Sequence, residues 1–182
     1  MAAFRAITVR VIAVVLGLSP VYAGCAARQP LGQSAPQSVK MQTELNYSEH
    51  ESYAKPGENR IRGQAFLKQP GGGVVTCAES RVLLLPATSY FREMIRHLGA
   101  GREPERPQTT YPGLKNMIRK TQCDAEGHFL FEEIPDGAWF VLTQVNWVTD
   151  DGKHGGVLIR EVKLSSRRTT QVLLNERNLV DR

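Results

Sequence analysis

The sequence has no Gly-x-Ser-x-Gly, no phosphate-binding loop and no Cys-x-x-Cys pair. These absences remove the sharp-turn serine nucleophile, the phosphate cradle and the paired-thiol motif, each of which needs its residues at fixed spacing. Gly71-Gly72-Gly73, next to Pro70, reads as a chain break rather than a cradle. Histidines are few as well: His50, His97, His128 and His154 stand apart, and no two share the i, i+4 spacing that would hold a metal ion. No catalytic residue, metal or cofactor is expected, and the chain reads as a non-enzyme.

Long apolar runs are also lacking. Val11 to Leu18 is almost purely aliphatic, but Arg10 and Ser19-Pro20 bound it, whereas a spanning helix needs about 20 apolar residues. At 41% hydrophobic and 23% charged the composition is that of a folded protein and excludes wholesale disorder. The formal charge of +5 would suit nucleic acid or anionic lipid if it were spread over the fold. It is not spread. Arg5 and Arg10 fall in the first 24 residues, which carry no acid. Residues 89–120 hold Arg92, Arg96, Arg102, Arg106, Lys115, Arg119 and Lys120 against Glu93, Glu103 and Glu105. Elsewhere the balance is close to neutral, so nucleic acid is not expected as a partner.

A basic start, a short aliphatic stretch and a cleavage-type site at Val21-Tyr22-Ala23-Gly24, with small residues at Ala23 and Gly24, make residues 1–24 a secretory leader. Ala23-Gly24-Cys25 resembles the lipobox of bacterial lipoproteins, with Tyr22 where that motif usually has Leu. The resemblance implies that Cys25 becomes the lipidated N-terminus, anchoring the protein in the bacterial envelope as an outer-membrane lipoprotein facing the periplasm. Val21-Tyr22-Ala23 also suits ordinary signal peptidase, which would release a soluble periplasmic protein with a free Cys25.

With Cys25 acylated, Cys77 and Cys123 remain as an even pair in an oxidising compartment, which suggests a disulfide, two buried free thiols being the alternative. A bond across that separation would stabilise the fold by about 4 kcal/mol in the chain-entropy model.

Residues 25–58 are expected to form a flexible tether. From Ala26 to Arg60 the chain is rich in Gln, Ser, Pro and Glu with little apolar periodicity, and Pro56-Gly57 marks a turn. Short strand-like runs then follow over 59–176: Ile61–Lys68, Arg81–Leu85, Gly127–Ile134, Ala138–Val148, Gly156–Leu164 and Thr170–Leu174, with Asp150-Asp151-Gly152-Lys153 as a hairpin turn. About six or seven strands at this regular spacing imply an all-β sandwich or barrel. Residues 177–182 read as a tail. One stretch departs from the pattern. Tyr90, Phe91, Met94, Ile95 and Leu98 recur at helical spacing, which predicts an amphipathic helix over 89–98, with Ser89 able to cap its start and Gly99 its end. Residues 89–120 therefore form an insertion between strands.

The run from Asp124 to Trp139 carries the most information. Asp124-Ala125-Glu126-Gly127 makes a tight turn, Phe129 and Phe131 point to one face, Ile134-Pro135-Asp136-Gly137 turns the chain, and Trp139 starts the next strand inward. This pattern resembles the carboxypeptidase regulatory-like and collagen-adhesin B-type superfamily. Ile61-Arg62-Gly63-Gln64-Ala65 and Val82 to Pro86 look like that family's first two strands. The resemblance implies a transthyretin-like, seven-stranded β-sandwich. Such domains serve as peptidase accessory domains, pilus and adhesin repeats and periplasmic or lipoprotein modules, mostly with structural or interaction roles.

Two chemistries of similar folds are not implied here. Adhesin repeats often carry a Lys–Asn isopeptide bond promoted by a Glu four places before the Pro of the turn. That place holds Phe131, and Glu132 falls on the opposite face, so Lys68 and Asn175 lack the acid that would join them. Transthyretin-related hydrolases need clustered His and Arg with a C-terminal Tyr-Arg-Gly-Ser, where this chain reads Asn178 to Arg182.

Trp139 and Trp147 share a strand face with Val141 and Val145 and read as core rather than a sugar platform. The candidate binding residues lie in the insertion: Tyr90, Arg92, Arg96, Arg102 and Arg106, on a long segment set in a rigid β-scaffold. The alternative is a solvated loop whose helix plugs one end of the sandwich. The expected function is a non-enzymatic envelope lipoprotein that presents a β-sandwich to a protein or glycan. A passive accessory subunit and a soluble periplasmic carbohydrate-binding module are the alternatives.

Overall fold

The computed structural model describes residues 38–105, 113–165 and 167–180. The expected leader, Cys25 and Arg106 lie outside them. In chain order the elements are β1 (Ser38–Val39), α1 (Tyr47–Ala54), β2 (Asn59–Lys68), β3 (Val74–Thr76), β4 (Arg81–Pro86), α2 (Ser89–Gly99), β5 (Glu103–Pro104), α3 (Leu114–Met117), β6 (Arg119–Gln122), β7 (His128–Ile134), β8 (Gly137–Thr149), β9 (Gly152–Leu164) and β10 (Thr169–Leu174). The protein is mostly β. All six strand-like runs of the sequence are strands, and β3 and β6 are added to them.

Two four-stranded sheets result. In the first, β2 is central, with β10 parallel along one edge and β7 then β3 antiparallel along the other. In the second the order is β6-β4-β8-β9, all antiparallel. The family resemblance implied seven strands; among the described residues the two sheets use eight, and β1 and β5 form a separate two-residue parallel pair.

Alternation decides what is buried. Ile61, Ala65 and Leu67 of β2, Phe129 and Phe131 of β7, and Val172 and Leu174 of β10 meet Val82, Leu84, Trp139, Val141, Val145, Leu158 and Val162 in one cluster between the sheets. Phe131 and Ile134 both point inward although they are an odd number of residues apart. The register slips between the Asn59–Ile134 and Ile61–Phe131 pairs, and Glu133 takes a left-handed φ of 55°, so a β-bulge absorbs the extra residue. Trp139 is fully buried; its indole N–H donates to the Pro135 carbonyl at 3.2 Å, and Tyr53 meets it edge-on at 5.0 Å. Trp147 is half-buried, its ring stacked on His154.

Cys77 and Cys123 are joined in a disulfide with their Cα atoms 5.8 Å apart. Cys77 follows β3 and Cys123 follows β6, so the bond staples one sheet to the other.

The second sheet buries its other face as well. Leu85, Phe140 and Leu142 pack with Tyr90 and Phe91 of α2 and with Leu45, and Met94, Ile95 and Ile159 flank them. The helix predicted from its apolar spacing therefore lies flat on a sheet. Its capping differs from the expectation. Thr88 is the N-cap residue, without a side-chain cap bond, because its hydroxyl meets His50 Nε2 at 2.9 Å. The Ser89 N–H is taken instead by the Glu49 carboxylate of α1 at 2.9 Å, an acid placed at the positive end of the helix. The cap after Gly99 is Ala100.

The structure also differs from the expected tether over residues 38–58. Leu45 and His50 are buried, His50 donates through Nδ1 to the Asn46 carbonyl, and Asn46 caps α1 by accepting the Ser48 N–H at 3.1 Å. The segment is attached by these polar contacts and by Met41, Leu45 and Tyr53, three apolar residues that form no periodic stripe to read. The expected tail is attached in part too: the Val180 N–H donates to the Val157 carbonyl at 2.9 Å. Among the described residues no helix is long and apolar enough to cross a membrane.

Candidate functional site

The insertion residues separate. Tyr90 is buried against the second sheet, and burial, with Glu93 nearby, pushes its hydroxyl pKa up. Arg92 grips Glu161 of β9 with two bonds of 2.9 and 2.7 Å and lies 5.5 Å from the centre of the Phe140 ring. The pair holds Glu161 below the usual carboxylate range. Arg96 is exposed, whereas Arg102 is half-buried with its Nε enclosed and unbonded. Arg119, at the start of β6, donates to the Ala54 and Lys55 carbonyls at 3.4 and 3.2 Å, a cation at the carbonyl end of α1. Much of the basic character expected of one patch thus fastens helices to sheet.

A different surface has the shape of a site. The outward face of the first sheet, flanked by Thr121 and Gln122 on β6 and by Arg160 on β9, bounds an open groove of about 890 Å³. Strand register builds its floor. Gln171, Arg62 and Leu130 form one row across β10, β2 and β7, and Leu173, Gln64 and His128 form the next. Among the described residues Leu130 and Leu173 are two of the few large apolar side chains left exposed, whereas Phe129 and Phe131 of the same sheet turn into the core. The groove therefore combines planar amide and guanidinium groups with two aliphatic patches. Gln64 is oriented by donating to the Glu126 carbonyl at 3.0 Å, and Arg160 by donating to the Leu173 carbonyl at 3.2 Å.

At one end of the groove Asp124, Glu126 and His128 bring ligand-capable atoms within 4.8 Å of one another, all on exposed residues. The His128 N–H donates to Asp124 Oδ1 at 2.7 Å and the Gly127 N–H to the Asp124 carbonyl at 3.0 Å, so Asp124 closes the turn into β7.

Sequence reasoning missed this groove. Its side chains are the outward members of strands whose inward members were recognised. Bringing them together requires the parallel pairing of β10 with β2, two strands about a hundred residues apart.

No protein-family model and no curated protein matches the chain. Among solved structures it is similar to a crystal structure of a "putative carbohydrate binding protein" from Pseudomonas aeruginosa, at 25% identity and a TM-score of 0.60, over 74% of this chain and 99% of that one. It also matches two crystal structures of the major pilin subunit of Bacillus cereus, at 14% and 12% identity with TM-scores of 0.40 and 0.35. Those matches span 66% and 67% of this chain and 30% of the pilin.

Proposed function

We propose that the chain is a non-catalytic glycan-binding module of the bacterial cell envelope, built on a transthyretin-like β-sandwich. It is exported by its leader and tethered to the outer membrane, on the periplasmic side, through lipid on Cys25. The observation that carries the reading is the likeness to the Pseudomonas protein, which extends over 99% of that chain. The groove supports it in chemistry. Amide and guanidinium side chains in register offer donors and acceptors to hydroxyl groups, and Leu130 and Leu173 offer contact for the C–H faces of a sugar ring. The first sheet rather than the 89–120 insertion is the binding face, because Tyr90 is buried and Arg92 is engaged with Glu161.

A glycan array of envelope and capsular saccharides tests the reading, with Gln171→Ala and Leu130→Ala beside the unaltered chain. Binding that weakens in both variants is expected. Binding to no saccharide, or binding indifferent to both changes, overturns it. The anchor has its own test: protein from envelope membranes should carry a diacylglyceryl group on Cys25, and an unmodified mature N-terminus would refute lipidation.

A further inference from the structure

We infer that the groove selects anionic glycans, with Arg62 and Arg160 reading their acidic groups. This deepens the glycan-binding reading of the same site and rests on it.

Some charges around the first sheet are balanced and others are not. Around the first sheet Arg60 meets Glu132 at 3.2 Å and His128 meets Asp124 at 3.5 Å. Arg62 and Arg160 differ: among the described residues neither guanidinium has a carboxylate within ion-pair distance. Arg92 shows what this fold does with a guanidinium it uses internally, setting it bidentate on Glu161. Arg160 makes one bond to the Leu173 carbonyl, which fixes its direction and leaves most of its five donors available. Two guanidinium groups without a carboxylate partner line one groove, Arg160 held in direction by its bond to Leu173, and each has the fork geometry that accepts carboxylate, sulfate or phosphate oxygens two at a time.

Spacing argues for a chain rather than a small ion. Arg62 is in register with Gln171, and Arg160 is held at Leu173, two residues farther along β10. Strand separation and rise place these two anchor points on the order of 8 Å apart. Gln64, in register with Leu173, lies on the neighbouring strand, as an uncharged sugar hydroxyl would require. At the far end Asp124 repels an anion, so the ligand's acidic groups lie toward β10 and β9.

The test uses matched pairs: oligogalacturonate beside its methyl ester, and dextran sulfate beside dextran, titrated calorimetrically against the full chain. Tighter binding of an acidic member by about tenfold or more is expected, weakening as salt rises from about 0.05 to 0.5 M because the charges are exposed. The uronate and sulfate arms tell the two sources of charge apart. Arg62→Gln and Arg160→Gln should each lose most of that preference, whereas Arg96→Gln should keep it. Equal binding of acidic and neutral members, or a preference that survives both groove changes, overturns the inference and leaves the glycan reading standing. Binding of no saccharide, here and on the array, overturns both.

Discussion

The carboxylate of Glu93, on α2, accepts the backbone N–H of Thr43 at 2.6 Å, from a residue fifty places earlier in the chain. It accepts the Gln42 N–H at 2.7 Å as well, and His97 Nε2 stands 3.3 Å away. The bonds from Thr43 and Gln42 outweigh the cost of burial and lower the Glu93 pKa to about 2. A buried acid thus pins the segment before α1 to the helix covering the second sheet.

Glu93→Gln should therefore loosen residues 38–45 before it unfolds anything else. Losing charge-assisted bonds to two backbone donors costs about 2 kcal/mol, and amide exchange at Gln42 and Thr43 should accelerate. The pH dependence follows from the direction of the shift. A carboxylate whose folded pKa lies below its unfolded value adds stability above the unfolded value and loses it as pH falls through the folded one. Thermal melts of the unaltered chain should decline from about pH 4.5 toward pH 2, and the Gln variant should lack that component. Equal exchange at Gln42 and Thr43 in both proteins would show that Glu93 does not hold the segment.

These contacts also mark the boundary of what the sequence could say. Strands with Phe129 and Phe131 inward, the α2 stripe and the Asp150-Asp151 hairpin are local patterns of apolar residues and turn formers, and each was legible. The ordered segment 38–58 was not, because Glu93, Glu49 and His50 fasten it by long-range polar bonds that leave no periodicity. The groove escaped for a related reason. Arg62, Gln64, Gln171 and Leu173 look like ordinary solvent-facing alternates until the β10–β2 pairing sets them in rows.

Breaking the disulfide should cost more than any of these polar contacts. Cys77 and Cys123 are separated by 46 residues, and releasing such a loop costs about 4 kcal/mol in the chain-entropy model. For a domain of this size the loss corresponds to a melting temperature lower by about 10 °C. Cys77→Ala/Cys123→Ala and reduced unaltered protein should fall together in calorimetry. Reduction without a shift would show that the bond adds no stability.

Gly63 is required by a close approach. It sits on β2 opposite Phe129, and a Cβ added there would stand 2.0 Å from the Phe129 ring. Phe129 is itself packed edge-on against Phe131 at 6.1 Å, so it has little room to yield. Gly63→Ala should overpack the core between the sheets and destabilise by about 1–3 kcal/mol, seen as a lower urea midpoint. An unchanged midpoint would mean that the ring moves freely.

The two candidate binding faces are separable by mutation. Arg92 and Glu161 are bidentate, but their side chains are 44% and 37% exposed, so water screens the pair and its contribution is at most about 1 kcal/mol. The contact over Phe140 adds about 0.5 kcal/mol at such an exposed site. Arg92→Gln should therefore lower the melting temperature slightly and leave saccharide binding unchanged, as should Arg96→Gln and Arg102→Gln. Arg62→Gln should do the reverse, holding the melting temperature while weakening binding, because its guanidinium faces the groove without a protein partner among the described residues. Binding lost with the three insertion arginines and retained without Arg62 would move the site from the first sheet to α2 and the loop behind it.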